Sequence, residues 1–476
     1  MNVNSPLNIK INIKPILFTL NHINAYKGPC RYGQGYALTY EHDVESANRE
    51  FDYFKSELLP KLDPAKVNLL EPIMLEWHED FVLKEELFEQ AMAQDSETDY
   101  YLIYGLRLSQ YFVVELAKRT RKAITLFPNP GAISKCDHVE MSAPLLAMGR
   151  EEVYPCLEME DLYKAVDIIR TKKILASLKV LFPLQIGTHS PGGQSFFLSL
   201  EDISRRFGLQ FVNPNAFDVF KLIDSFSDEE RAEARAVAEK LVSEAKGVHM
   251  PAENVVKDAE FYLAVKKMLA QRECNAFTIP CFEICATMEL QRRNLTFCLA
   301  HSLLTDEGIP SACAGDVCSI VTKCILMSIA GKAPYMGNTM VMDRKANQLR
   351  LLHDVPCRKM KGYNQPDMPV ELVSFTLDNW GTTMRYNFAQ DIGDTITLIN
   401  ISPDMKKMMI VKGEINGCDD YLTPECKLAV RFKVADAEKF FKGQKYVGHH
   451  FSLVYGDYTD SLEALAEACG MEVLKA

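Results

Sequence analysis

The sequence predicts an α/β protein: two Rossmann-like doubly wound domains followed by a β-rich, barrel-like C-terminal domain. Three observations lead there. Short apolar runs alternate with helical stretches through the first part of the chain. The same alternation then restarts with a second set. After about residue 345 the helices thin out and short β-rich segments separated by turn residues take over. Strands alternating with helices imply a parallel sheet covered on both faces. Successive short strands imply an antiparallel barrel or sandwich.

In chain order, KPILFTL (14–20) reads as a buried strand and 44–62 as a helix. KVNLLEP (66–72) and DYYLIYG (99–105) read as strands with a helical stretch at 83–93 between them. A helix at 108–119 and the strand KAITLFP (122–128) complete a first domain, set at 1–170. The second, at 171–345, uses a helix at 159–177 leading into KVLFPL (179–184), a helix at 199–207, then LQFVNP (209–214). In the helix 227–247, Ser227 is the N-cap, acids fill the first turn and Gly247 closes it. A helix at 251–273 precedes AFTIPC (276–281). The third domain, 346–476, ends with the strand HFSLVYGDY (450–458) and the helix 461–470.

The chain has 476 residues, 47% hydrophobic, with a net charge of −11. That is enough apolar material for several cores. An acidic chain is no general nucleic-acid binder, which needs a basic face. No apolar run reaches the roughly 18 residues that span a membrane, and the N-terminus lacks a signal-peptide core, so a cytoplasmic location is expected. Fourteen cysteines lie scattered through apolar runs and read as buried thiols of a reducing compartment.

Several residues carry candidate chemistry. Glu283 follows the strand AFTIPC, and ligands of α/β sheets bind beyond the carboxyl ends of strands. Asp316 opens the apolar helix VCSIVTKCILMSIA, either as cap or as functional acid. His353 ends LRLLH. His449 and His450 precede FSLVY; neighbours on a strand face opposite ways, so one of them, His450, is expected to face the site. The loop GTHSPGGQ (187–194) offers His189 and glycines that let a backbone approach a ligand. The segment NHINAYKGPCRYGQGY (21–36) offers Cys30, and Arg31 as an anchor for an anionic or hydroxylated substrate.

The ordered set AFTIPCFE (276–283), HSLLTDEGIPSACAGDV (301–317), GKAPYMGN (331–338), LRLLHD (349–354) and GHHFSLVYGDY (448–458) resembles the C-terminal portion of the L-fucose isomerase-like family, with L-arabinose isomerases more distant. The resemblance implies an aldose–ketose isomerase. It also implies a divalent metal, usually manganese, held by acids and histidine, an enediol intermediate and a homo-oligomer, trimer or hexamer. The two acidic positions it implies fall on Ala314 and near Asn338, while the histidines are kept at His353 and at His449 or His450.

The expected function is therefore an enzyme acting on a small hydroxy-carbonyl substrate through an enediol or enolate. Glu283, Asp316, His353 and His450 are expected to be catalytic, and Arg31, Cys30, His189 and Asn338 to bind substrate. His353 and His450 would be the ligands of a manganese ion. One alternative is a carbon–carbon hydrolase opening a cyclic 1,3-diketone such as a dihydrophloroglucinol-type ring. The other is a non-catalytic sugar-binding protein.

Overall fold

A computed structural model describes residues 3–28, 31–78, 80, 82–128, 137–150, 152–154, 156–184 and 200–476. It divides the chain into two compact units, Asn8–Lys173 and Met1–Leu7 with Ile174–Ala476.

In the first unit the strands are β1 (Ile11–Leu20), β2 (Val67–Leu69), β3 (Ile73–Trp77), β4 (Tyr100–Gly105) and β5 (Ala123–Pro128). β1, β4 and β5 lie side by side, and β2 and β3 share the other edge of β1, all in parallel. β4 and β5 are buried at every position, as continuous apolar runs in a covered parallel sheet must be. Phe18, Phe88 and Phe112 stack beneath this sheet. β3 was hidden from sequence reading because it follows β2 after three residues and merely extends the same edge.

The second unit opens with a four-stranded parallel sheet of β6 (Lys179–Leu181), β7 (Gln210–Val212), β9 (Ala276–Thr278) and β10 (Ser311–Ala312), in the order β10-β9-β6-β7. Ser227 forms a full capping box with Glu230. The helix it caps ends at Glu244, so Gly247 does not close it. Gly247 instead begins β8 (Gly247–His249), because Lys246 N–H is drawn to Val370 O at 2.8 Å. β8 then pairs with β13 (Glu371–Ser374), which pairs with β14 (Thr382–Arg385).

The β-rich end is a closed barrel. β11 (Tyr335–Asp343), β12 (Gln348–Leu352), β15 (Thr395–Ile401), β16 (Lys407–Asp419), β17 (Ala429–Val434) and β18 (His450–Tyr455) run antiparallel in the order β15-β18-β11-β12-β17-β16. The β15–β16 ladder closes the ring, which leaves no free edge among these six. β19 (Glu472–Lys475) adds to β16 in parallel. Residue 345 lies between β11 and β12, two paired barrel strands. One continuous apolar core joins the parallel sheet's Phe277 to the barrel's Leu349, Leu398 and Phe451. Among the described residues no helix is long and apolar enough to cross a membrane.

Candidate active site

The site is built where the loop after β10 meets the end of β12, the start of β18 and Asn338 within β11. Ala314 sits in the left-handed region at φ +62°, a conformation that costs an alanine about 1–2 kcal/mol. That turn sets Asp316 at the N-terminus of the helix Val317–Ala330. Asp316 caps the helix by accepting from Ser319 N–H at 3.3 Å, and Ser319 Oγ donates to its Oδ2 at 2.8 Å.

The cap reading is therefore correct, but the carboxylate does more. His450 Nδ1 lies 2.8 Å from Asp316 Oδ2, with both side chains buried. A carboxylate there holds the proton on Nδ1 and leaves Nε2 as the basic nitrogen. The register pairs His450 with Asn338 on β11, and Asn338 with Leu352 on β12, so the three strands meet there.

His353 follows β12 directly. Its backbone is gripped by Tyr335, whose hydroxyl lies 2.6 Å from His353 O and accepts from His353 N–H at 2.9 Å. Its Nδ1 accepts from Asp354 N–H at 3.1 Å, which places the ring proton on Nε2. Burial first, then the neighbouring His450 and Lys323, push its pKa down to about 3, so the ring is neutral. The two rings meet edge to face with centroids 6.1 Å apart. Beside them, Arg385 and Asp354 form a wholly buried pair at 2.7 Å. Arg385 also donates to Glu425 O at 2.9 Å, fixing the loop that carries Cys426.

These groups border a cavity of about 330 Å³, within the range of small-molecule sites. Its polar lining is Thr296, Asn338, His353, His449 and His450. Both histidines of the pair reach it, against the expectation that one points away. His449 precedes the strand, next to Gly448 at φ +81°, so strand alternation has not yet begun there. The lining also holds five thiols, Cys281, Cys285, Cys298, Cys313 and Cys426, with Phe282, Phe297, Phe375 and Leu290. Cys281 and Cys313 have their sulfurs 4.0 Å apart. Burial raises the Cys285 thiol to about 12. Cys313 and Cys426 are raised further, first by sulfur–sulfur hydrogen bonding and then by burial.

The remaining expected residues fall elsewhere. Glu283 is not at a strand end. β9 stops at Thr278, Pro280 precedes a helix, and Glu283 lies inside that helix, Cys281–Ala286, without lining the cavity. Arg31 belongs to the first unit, where it is buried and its guanidinium engages Asp43 at 2.9 Å. Cys30 and His189 lie outside the described residues. From sequence alone the five thiols read only as packing. The spacing of Cys281 and Cys285, one helical turn apart, was the one local sign of a sulfur-lined face.

No protein-family model matches this chain. Sulfoquinovose isomerases of Priestia aryabhattai and Priestia megaterium are each 24% identical to it over 321 residues, 66% of this chain and 68% of theirs. That of Clostridium sp. (strain MSTE9) is 22% identical over 318 residues, 65% of this chain and 68% of its own. The similarity is to isomerases. It agrees with the fucose and arabinose isomerase-like type and singles out no particular member.

Does the site suit the manganese that the resemblance implies? Manganese favours hard oxygen ligands in octahedral sets. Alanine and asparagine stand at the implied acidic positions, and Asp316 is committed to His450 and Ser319. Among the described residues no three His, Cys, Asp or Glu side chains form a metal-holding group. The residues present do not make that ligand set.

Proposed function

We propose that this chain is an isomerase of carbohydrate-type hydroxy-carbonyl compounds, working by proton transfer between adjacent carbons in the His353–His450 cavity. The observation that carries this reading is the pairing of two imidazoles in opposite roles. His450 is held by Asp316 with Nε2 as base. His353 is neutral with Nε2–H as donor.

The chemistry follows from those roles. His450 Nε2 takes the proton from the hydroxyl-bearing carbon. The C–H electron pair becomes the carbon–carbon double bond, and the carbonyl electrons move onto oxygen. His353 Nε2–H donates a hydrogen bond to that oxygen as its charge develops, inside a cavity where such a bond is stronger than in water. The oxygen takes the neighbouring hydroxyl's proton. The imidazolium of His450 then returns its proton to the former carbonyl carbon, and atoms balance. Asn338 lines the same cavity and supplies a further donor or acceptor. No step passes through a metal, because the ligand set is incomplete.

The names of the three relatives support an isomerase and give the ring-opening hydrolase no support. The decisive experiment is incubation with aldoses and ketoses in deuterated water, followed by NMR. Deuterium is expected at the carbon beside the carbonyl with the wild type and not with His450→Gln. Equal incorporation by both proteins refutes the role of His450; none by either refutes the isomerase.

A further inference from the structure

Two of the cavity's thiols are placed to react with each other. We propose that Cys281 and Cys313 form a modification site: a dithiol that peroxide closes to a disulfide and a thiol reductant reopens, with the movement of closure passed to the Asp316–His450 pair. The inference goes beyond the isomerase reading and stands on geometry of its own.

The placement comes from the parallel sheet. β9 and β10 are neighbours, with Thr278 opposite Ala312, and Thr278 Oγ1 donates to Ala312 O at 2.8 Å. Cys281 follows shortly after the end of β9, and Cys313 directly after the end of β10. Neighbouring strands run about 4.8 Å apart, so the sheet delivers the two cysteines side by side beyond its carboxyl edge. Their sulfurs are 4.0 Å apart, with the Cys313 thiol donating to Cys281. A disulfide needs a sulfur separation of about 2 Å, which side-chain rotation and small shifts of the two loops must supply.

The two thiols have unequal roles. Cys281 is half-buried and Cys313 buried, and both line the cavity, which admits a molecule as small as peroxide. Its hydrogen bond to Cys281, and then burial, hold the Cys313 thiol well above the usual thiol range, so Cys313 keeps its proton. The first oxidation therefore falls on Cys281. Its thiolate attacks one peroxide oxygen, the O–O bond breaks, hydroxide leaves and a sulfenic acid forms. The Cys313 sulfur then attacks the Cys281 sulfur. The S–O bond breaks, and the departing hydroxide takes the Cys313 proton as water. In sum two thiols lose two electrons and two protons, and one peroxide becomes two waters.

The consequence reaches the catalytic pair through the backbone. Asp316 N–H donates to Cys313 O at 3.3 Å, across the turn in which Ala314 holds φ +62°. Moving Cys313 moves the residue whose carboxylate holds His450 Nδ1.

The test treats the intact protein with hydrogen peroxide, then uses intact-mass spectrometry and peptide mapping without reduction. The wild type should lose the mass of two hydrogens and yield peptides joined through Cys281 and Cys313, which dithiothreitol separates. Cys281→Ser should yield no such cross-link. In Cys313→Ala, dimedone should label Cys281, whose sulfenic acid has lost its partner. In protein with isotope-labelled histidine, the His450 imidazole NMR signal, identified by its loss in His450→Gln, should shift on oxidation and return on reduction. No cross-link in the wild type, a cross-link confined to Cys298 and Cys426, or dimedone on a different cysteine of Cys313→Ala overturns the site. A Cys281–Cys313 cross-link that leaves the His450 signal in place overturns the coupling. The isomerase reading is decided separately, by deuterium exchange.

Discussion

Among the described residues, each unit of this protein has an aspartate buried against a histidine, and the two arrangements do different work. In the first unit Asp43 accepts from His22 through backbone N–H at 2.9 Å and lies 3.0 Å from its Nδ1. It also meets two guanidiniums, Arg31 at 2.9 Å and Arg107 at 3.2 Å. In the second unit Asp316 meets His450 at 2.8 Å, and its other partner, Ser319, is neutral. Asp43 is thus neutralised by fixed cations and serves as a brace for the loops after β1 and β4. The negative charge of Asp316 falls on one imidazole, which it orients through Nδ1. The same residue pair becomes a brace or a base according to what else touches the carboxylate.

The largest effect should come from breaking the second pair. His450→Gln is expected to lower turnover by about 10²- to 10⁴-fold, the usual worth of a positioned base. Circular dichroism should show the fold kept.

Next comes the brace. Asp43→Asn leaves the buried Arg31 and the half-buried Arg107 without a countercharge and should destabilise the first unit by about 3–5 kcal/mol. Asp316→Asn removes a charged acceptor among neutral partners and should cost the second unit about 1–3 kcal/mol. Trp77 and Trp380, one in each unit, report the two unfolding transitions separately in denaturant. Equal losses in both units would erase the distinction.

The pH response sharpens it further. His353 is held neutral in the fold, with a pKa of about 3 against an ordinary 6.5. The unfolded chain therefore binds a proton below 6.5 that the folded chain refuses. Stability from this group is lost as pH falls from 6.5 toward 3, by about 2 kcal/mol at pH 5. Asp354, raised by burial to about 7, and Asp306, raised to about 6, act in the opposite sense. The difference between wild type and His353→Asn isolates the histidine. A difference that does not change between pH 7 and pH 5 would show that His353 takes up its proton in the fold as readily as in the unfolded chain.

The smallest effect belongs to Ser319→Ala. Losing one hydrogen bond to Asp316 should cost about 0.5–1.5 kcal/mol in denaturant unfolding. It should lower turnover far less than His450→Gln does.

Local periodicity by itself determined most of the strands and helices. KAITLFP, DYYLIYG and the helix capped by Ser227 were legible because burial on both faces, or a capping box, writes itself into neighbouring residues. The change to a β-only end was legible for the same reason. Spacing could not give closure of the barrel, since the β15–β16 ladder that seals it is a pairing between strands and not a pattern within one. Gly247 looked like a helix stop and became a strand start because a distant backbone, Val370, claimed its neighbour. The site was decided the same way. Asp316 and His450 stand 134 residues apart, and the five thiols come from segments spread between residues 281 and 426. A side chain's chemistry is fixed by its type, but its proton and its charge balance are fixed by whatever the fold sets beside it.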